Sequence, residues 1–514
     1  MNTKPLLSLL PFFLLSLSSF AETSDRPNVL LLMTDDQGIG QLAYSAEHQD
    51  PATFWRPAGT ARYALDPEAG LQAAIQAMPN INRLAADGVR FTRAYVASPV
   101  CSPSRAAVMT GRYPQRYGIY SNVDAKEGVP RTETFLSELF QEAGYRTAII
   151  GKWHLGKVTR EVLPVKTRDY HLNAIFGTVP EHHPLERGFD YYFGFNLSGA
   201  SYYNSPAIFR NYANIDVPGY LTEAFSREAV RFIETRGDDD PFFLFLSYSA
   251  PHIPLHEPAP AHYRNRFDTG NPAADNYYAA LAAVDDGVGA ILDVLGKRNE
   301  LANTLIIFVS DNGAVIDSPL PMNGSLRGNK GTLLPGGLQV PLIISWGGRF
   351  VPGSVRSQLA SGMDILPTAL DAAGIELDET LSLDGESLLP VLEDPSESVS
   401  PHRFLFWAGP HASHWSPKNR QFWSDYHAYV SGREGRIGDV PKSRFVEAHS
   451  PWSLAVTDGT TFIEWQKDDS GEWNPPFYSS GLKRAADDPS SRFFEAALDW
   501  LEPLPEPRIW SPEE

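Results

Sequence analysis

Residues 29–36 read Val-Leu-Leu-Leu-Met-Thr-Asp-Asp. Five consecutive apolar residues, without alternation, mark a strand buried on both faces, and two carboxylates follow it at once. The construction recurs. Thr147–Ile150 runs into Gly151-Lys152-Trp153-His154, Phe242–Ser247 precedes Pro251-His252, and Thr304–Val309 runs into Asp311-Asn312. A further apolar run spans Val340–Ile344. Helical spacing fills the intervals. It is seen over 80–91 (Ile81, Leu84, Ala85, Val89), after a Thr132 cap (Leu136, Leu139, Phe140, Ala143, stopped by Gly144), over 222–235 and over 274–296. This alternation predicts an α/β fold, with a large, mostly parallel or mixed sheet between helices. The C-terminal ends of parallel strands share one edge, where ligands bind, so the four polar clusters are expected to converge there.

The chain has 514 residues, of which 42 % are hydrophobic, enough for a large core and incompatible with global disorder. Its net charge of −19 argues against nucleic acid as a partner. A single cysteine, Cys101, excludes an intrachain disulfide and a thiolate metal cluster. Lys4, the apolar run 6–20 and Ser19-Phe20-Ala21 read as an export signal over 1–21. That run is short and contains Pro11, so no membrane anchor is expected. The division expected is a leader (1–21), a catalytic domain (22–395) and a C-terminal subdomain (396–514). In the last, 452–465 reads as two short antiparallel strands around Asp458-Gly459, followed by a helix near 491–500.

Each polar cluster has a structural reading of its own. An acidic pair after a strand can cap a helix, a lone histidine can be structural, and a lone cysteine can be a small buried apolar residue. Taken together they suggest chemistry. Asp35, Asp36, Asp311 and Asn312 form an oxygen-only set with three negative charges, which calls for a hard cation, Ca²⁺ or Mg²⁺, and the Asn312 carbonyl suits Ca²⁺. Arg105, Lys152 and Lys330 beside a metal imply an anion, as in transfer of an SO₃ or PO₃ group. Cys101-Ser-Pro-Ser-Arg105 opens a helical segment, and residue 101 at its positive end favours an anion.

In combination these segments resemble the formylglycine-dependent (type I) sulfatases of the alkaline phosphatase superfamily. The resemblance rests on Asp35-Asp36-Gln37-Gly38, Cys101-Ser-Pro-Ser-Arg105 with Thr110-Gly111-Arg112, and Gly151-Lys152-Trp153-His154-Leu155-Gly156. It continues through Pro251-His252-Ile253-Pro254, Ser310-Asp311-Asn312-Gly313, Arg327-Gly328-Asn329-Lys330-Gly331 and Asp364-Ile365-Leu366-Pro367-Thr368. It implies that a maturation enzyme oxidises Cys101 to formylglycine (3-oxoalanine), whose hydrate is the nucleophile. Asp35, Asp36, Asp311 and Asn312, with an oxygen of residue 101, would hold one Ca²⁺. Arg105 and Lys152 would polarise the hydrate, His154 would act as base and His252 as acid, and Lys152 and Lys330 would hold the sulfate. Between the acidic pair and Asn80 the chain carries a longer segment (41–78) than the family pattern, and Met78-Pro79-Asn80-Ile81-Asn82 departs from it.

Aromatic and polar residues in 155–210, with His171, His182, His183, Arg187, Tyr202, Tyr203 and Asn204, suit a sugar. His183, Asn204, Asn323 and Arg327 are the candidates for contacting it. The expected substrate is a sulfated oligo- or polysaccharide met outside the cytoplasm, in the periplasm or after secretion, and the resemblance is to bacterial enzymes acting on carrageenan or ulvan. Two alternatives stand beside it: a phosphonate or phosphate ester hydrolase of the same superfamily, and a catalytically dead carbohydrate-binding homologue.

Overall fold

The computed structural model describes residues 26–42, 66–122, 125, 127–157, 177–237, 240–253, 257–315, 322–394, 396, 399–409, 453–466, 473, 477–478 and 490–505. The expected leader, His171, Pro254 and most of 41–65 lie outside the described residues.

The apolar runs form the centre of a ten-stranded sheet. β1 (Asn28–Thr34), β4 (Arg146–Lys152), β5 (Tyr191–Phe195), β8 (Phe242–Ser247) and β9 (Thr304–Ser310) are mutually parallel, in the order β9-β1-β8-β4-β5. β10 (Leu342–Trp346) runs antiparallel to β9 and to β2 (Val89–Phe91), and β11 (Ser354–Arg356) closes that side. The hairpin strands β6 (Phe209–Arg210) and β7 (Ala213–Asn214) close the other. β3 (Ala94–Tyr95) pairs separately with β12 (Ala360–Ser361).

The unbroken apolarity of β1 has a direct cause, since it feeds two cores. Leu30 and Leu32 pack with helices α1 (Pro67–Ala77), α2 (Pro79–Asp87), α5 (Leu221–Thr235) and α6 (Pro272–Lys297) on one face. Val29, Leu31 and Met33 pack with α3 (Cys101–Thr110), α4 (Leu136–Glu142) and α7 (Ile365–Ala372) on the other. Every residue of α3 is buried, so the segment opening at Cys101 is an interior helix.

Two local expectations are corrected. Val89 belongs to β2, because Gly88 ends α2 and brings the backbone against the Ile344 carbonyl of β10. Thr132 caps nothing. Helix α4 starts at Leu136, where the Glu138 carboxylate accepts the Phe135 N–H at 2.7 Å.

The C-terminal part forms a second, antiparallel sheet of β13 (Leu405–Gly409), β14 (Ser453–Thr457), β15 (Phe462–Gln466) and β16 (Phe477–Tyr478). Asp458 accepts the Thr460 and Thr461 N–H groups, and Gly459 has φ +83°, which makes the expected turn. One face, with Trp407 and Phe462, packs on Tyr95, Tyr113 and Met363 of the first unit. The other lies under Phe493 and Ala497 of α8 (Ser490–Leu501). Trp407 Nε1 donates to the Val96 carbonyl at 2.7 Å.

The joint is also ionic. His402 Nε2 lies 2.7 Å from Asp364 Oδ1, and both side chains are buried. Burial pushes the His402 pKa down, but the facing Asp364 carboxylate and the more distant Glu386 and Asp384 outweigh it, so the value is raised above 6.5. A histidine raised on folding contributes stability that is complete below its unfolded pKa and fades as pH climbs through its folded pKa. His402→Gln should therefore be most destabilising relative to wild type below about pH 6.5, with the gap closing at higher pH. Urea midpoints across that range measure it, and a pH-independent gap would show that the ion pair is not the contributor.

Candidate active site

The four strands whose ends carry polar clusters are immediate neighbours, β9, β1, β8 and β4, and all point the same way. Their ends are stitched together beyond the ladder. Asp311 N donates to the Thr34 carbonyl at 3.1 Å, Asp35 N to the Ala250 carbonyl at 3.2 Å and Tyr248 N to the Met33 carbonyl at 2.9 Å. Asp35, Asp36, Lys152, Asp311 and Asn312 are consequently brought to one buried edge.

Helix α3 aims its first residue at that edge. Cys101 Sγ lies 3.7 Å from Asp35 Oδ1, and the ligand atoms of Asp35, Asp36, Cys101 and His252 all fall within 4.8 Å of one another. The Ser102 hydroxyl donates to the His154 carbonyl at 2.6 Å, tying the helix start to the turn after β4. Lys330 comes from the loop before the short turn Pro335–Leu338. Gly331 N donates to the Pro99 carbonyl at 2.9 Å, joining that loop to the approach to Cys101.

Cations compensate the carboxylates one by one. Lys152 Nζ is 2.6 Å from Asp35 Oδ2, and Lys330 Nζ is 2.6 Å from Asp36 Oδ1. Arg105 binds Asp311 Oδ2 through Nε (3.0 Å) and Nη2 (2.8 Å), with Asp35 Oδ2 at 3.5 Å. Burial and then the Asp35 charge still hold the Asp311 carboxyl above its ordinary value, although Arg105 and Lys152 pull it down. Two buried oxygens, Asp36 Oδ2 and Asn312 Oδ1, have no hydrogen-bond partner. Converging carboxylates with orphaned oxygens fit a divalent cation.

The two histidines sit in opposite fields. Burial, followed by Lys152 and Arg105, holds His154 well below 6.5, so its ring is neutral. Burial and Lys330 also lower His252, but Asp36, Asp35 and a bond to the Cys101 sulfur outweigh them and raise it. His252 Nδ1 faces the Ile253 carbonyl at 2.6 Å, which leaves Nε2 toward Asp36 Oδ2 at 3.5 Å. Burial pushes the Cys101 thiol up, yet Lys152 and Lys330 hold it well below 9.0. Asp36 (φ +65°) and His154 (φ +55°) both occupy the left-handed region, where non-glycine residues are uncommon.

Of the substrate candidates, Arg327 and Asn204 are exposed. Asn323 and His183 are given other work. The Asn323 amide brackets Ala314, accepting its N–H at 2.8 Å and donating to its carbonyl at 3.2 Å, and so braces the Lys330 loop. His183 Nδ1 accepts the Leu185 N–H, and its ring stacks on Tyr212 at 4.4 Å. Asparagine at a loop start looks alike in sequence whether it binds a sugar or its own backbone. Ser247, closing β8, was missed. It accepts from Arg105 Nη1 at 2.5 Å and donates to the Lys152 carbonyl at 2.7 Å. A lone polar residue ending an apolar strand was the signal available.

A constellation of this kind at a parallel-sheet edge suits hydrolysis of a sulfate ester, and the family and relatives of the chain make it a sulfuric ester hydrolase. The chain belongs to the sulfatase family, whose signature matches residues 27–375. It is 44 % identical over 438 residues to the uncharacterized sulfatase YdeN of Escherichia coli (strain K12), covering 84 % of this chain and 77 % of that one. It is 32 % identical over 397 residues to the N-acetylgalactosamine-6-sulfatase of Homo sapiens, covering 71 % and 66 %. The solved structure of Ps i-CgsB in complex with k-i-k-neocarrahexaose superposes with a TM-score of 0.66 at 26 % identity, over 94 % of this chain and 95 % of that one. Among the described residues, no helix is long and apolar enough to cross a membrane.

Gly151 is what lets β4 deliver Lys152 and His154. It has φ +110°, and a Cβ there would lie 1.8 Å from the Ser247 carbonyl oxygen. Gly151→Ala must push β4 from β8, so it should cost about 3 kcal/mol or more and abolish most turnover. A urea midpoint and rate close to wild type would show that the strands tolerate the separation.

Proposed function

We propose that the protein is an exported, Ca²⁺-dependent sulfatase acting on a sulfated carbohydrate of the carrageenan or ulvan type, with Cys101 matured to formylglycine. The observation that carries this reading is the meeting of residue 101 with three carboxylates, three cations and two oppositely biased histidines at one buried point. The name of the human relative, and that of the structure bound to a neocarrahexaose, support a sugar as the leaving alcohol. The catalytic unit is taken as 22–395 and the C-terminal subdomain as 396–514, with the leader 1–21 removed on export.

Hydrated formylglycine supplies two oxygens on one carbon, the first to displace the alcohol from sulfur and the second to expel sulfate once deprotonated. Asp35, Asp36, Asp311 and Asn312 would hold Ca²⁺, which would supply positive charge to offset the negative charge developing on the sulfate. Lys152 and Lys330 bind the sulfate oxygens, where charge accumulates, and Arg105 holds the Asp311 carboxylate in place through Nε and Nη2. His252, biased toward its protonated form, donates from Nε2 to the departing sugar oxygen. His154, held neutral, takes the proton whose loss returns the aldehyde. Asn204 and Arg327, exposed near the sequence of the site loops, are the groups offered to the sugar.

The presence of His252 among the clustered ligand atoms gives the phosphonate or phosphate ester hydrolase reading its one point of support, since an imidazole suits a transition metal. Metal content separates the two. Purified active protein should contain one Ca²⁺ per chain, and Asp311→Ala should weaken Ca²⁺ binding in calorimetry by more than the roughly 10–100-fold typical of an outer-shell change. Stoichiometric zinc in active protein would favour the rival.

The nucleophile is tested by mass. The peptide spanning residue 101 should be lighter than its cysteine form by about 18 Da. Cys101→Ala should fold normally and lose turnover by at least about a thousandfold on p-nitrophenyl sulfate and on sulfated carrageenan oligosaccharides. An alanine variant with the wild-type rate ends this mechanism. An unmodified, inactive native chain points to the carbohydrate-binding alternative.

A further inference from the structure

Tyr202 and Tyr203 belong to the segment 155–210, whose aromatic and polar residues suit a sugar, but the Tyr202 side chain is turned inward and only 2 % exposed. Its hydroxyl lies 2.8 Å from the His252 carbonyl and 3.1 Å from the Ser249 carbonyl. These two residues are the ends of the turn that carries His252, closed by the His252 N–H on the Ser249 carbonyl at 2.9 Å. A single donor therefore holds both ends of that turn.

Tyr202 is itself fixed from three directions, and its neighbour adds a fourth hold. Its carbonyl accepts the Leu221 N–H at 2.8 Å, at the first residue of α5. Its ring stacks on Tyr220 with centroids 5.3 Å apart and planes at 23°. Its N–H donates to Glu257 Oε2 at 2.5 Å, beyond the His252 turn. Its neighbour Tyr203 donates to the Pro258 carbonyl at 2.9 Å. The segment thus links a rigid helix start to both sides of the loop that bears His252.

We propose that Tyr202 is the positioning residue for His252: its hydroxyl, bonded to the Ser249 and His252 carbonyls, sets the aim of the imidazole at the leaving oxygen. The proposal rests on His252 being the proton donor. His252 Nδ1 lies 2.6 Å from the adjacent Ile253 carbonyl, so the direction of Nε2 toward Asp36 and Cys101 follows the backbone of the turn. A proton donor displaced by a fraction of an ångström loses much of its advantage, and that advantage is felt only where the leaving group needs a proton. Phenylalanine keeps the packing and the stack on Tyr220 and removes only the donor.

The test uses aryl sulfates from p-nitrophenyl to p-methoxyphenyl sulfate. Proteins compared are wild type, Tyr202→Phe, His252→Ala, the double variant, and Tyr203→Phe. Tyr202→Phe should lower kcat on p-methoxyphenyl sulfate by about 10-fold, below the 10²–10⁴ of general-acid help, with KM little changed and the p-nitrophenyl rate within about twofold of wild type. His252→Ala should show the same asymmetry more strongly, the double variant should be no worse than His252→Ala, and Tyr203→Phe should show no asymmetry. The ratio of two rates on one preparation is independent of the fraction folded, so a purely structural role would not move it. Parallel losses in Tyr202→Phe, or none, with the asymmetry intact in His252→Ala, would overturn the positioning role alone. Parallel losses in His252→Ala would overturn the acid role of His252 and the positioning role with it.

Discussion

Burying three carboxylates at one sheet edge is the constraint on which the rest of this structure depends. An ion removed from water costs several kcal/mol unless paired and hydrogen-bonded. Asp35, Asp36 and Asp311 are all essentially inaccessible, and each is met by a different cation: Lys152, Lys330 and Arg105. Those cations come from β4, the loop after β9 and the interior helix α3, so charge compensation locks three separate parts of the chain to the central strands. Asp36 Oδ2 and Asn312 Oδ1 remain without a hydrogen-bond partner even so, an arrangement that suits a divalent ion.

The framework that supplies this edge is made stiff by apolar burial on both faces. β1 divides its side chains between two cores, and its neighbours β8 and β9 are buried along their whole length. Strand ends then serve as fixed mounts, and the loops that complete the site are fastened to them by backbone bonds such as Gly331 N to the Pro99 carbonyl. Close approach of backbones at Gly151 is part of the same arrangement, because Lys152 and His154 reach the site only if β4 lies tight against β8.

The two histidines illustrate how position alone puts one residue type into opposite fields. Burial, then Lys152 and Arg105, hold His154 below its ordinary pKa, whereas Asp36 and Asp35 outweigh burial and hold His252 above its own. Opposed fields of this kind suit a reaction that gives a proton in one step and takes one in the next. The backbone carries part of the burden, since His154 is held at positive φ and the His252 turn is gripped by a tyrosine from another segment.

The sequence by itself determined the buried strands, their helices and the polar clusters, because unbroken apolar runs and the residues ending them are local features. It also placed Asp35, Lys152, His252 and Asp311 after strands that only make sense in parallel. Strand order, which makes β9, β1, β8 and β4 neighbours, was decided by tertiary structure, since pairing partners hundreds of residues apart leave no local trace. The same holds for Ser247 and Tyr202, which act through contacts across the fold. The structural contacts of Tyr202, Asn323 and His183 were not legible for that reason: a polar or aromatic side chain in a loop has the same spelling whether it faces a ligand or holds its own backbone. Val89 and Thr132 were misread because a glycine against a neighbouring strand, and a glutamate bond to the backbone, overrode helical spacing.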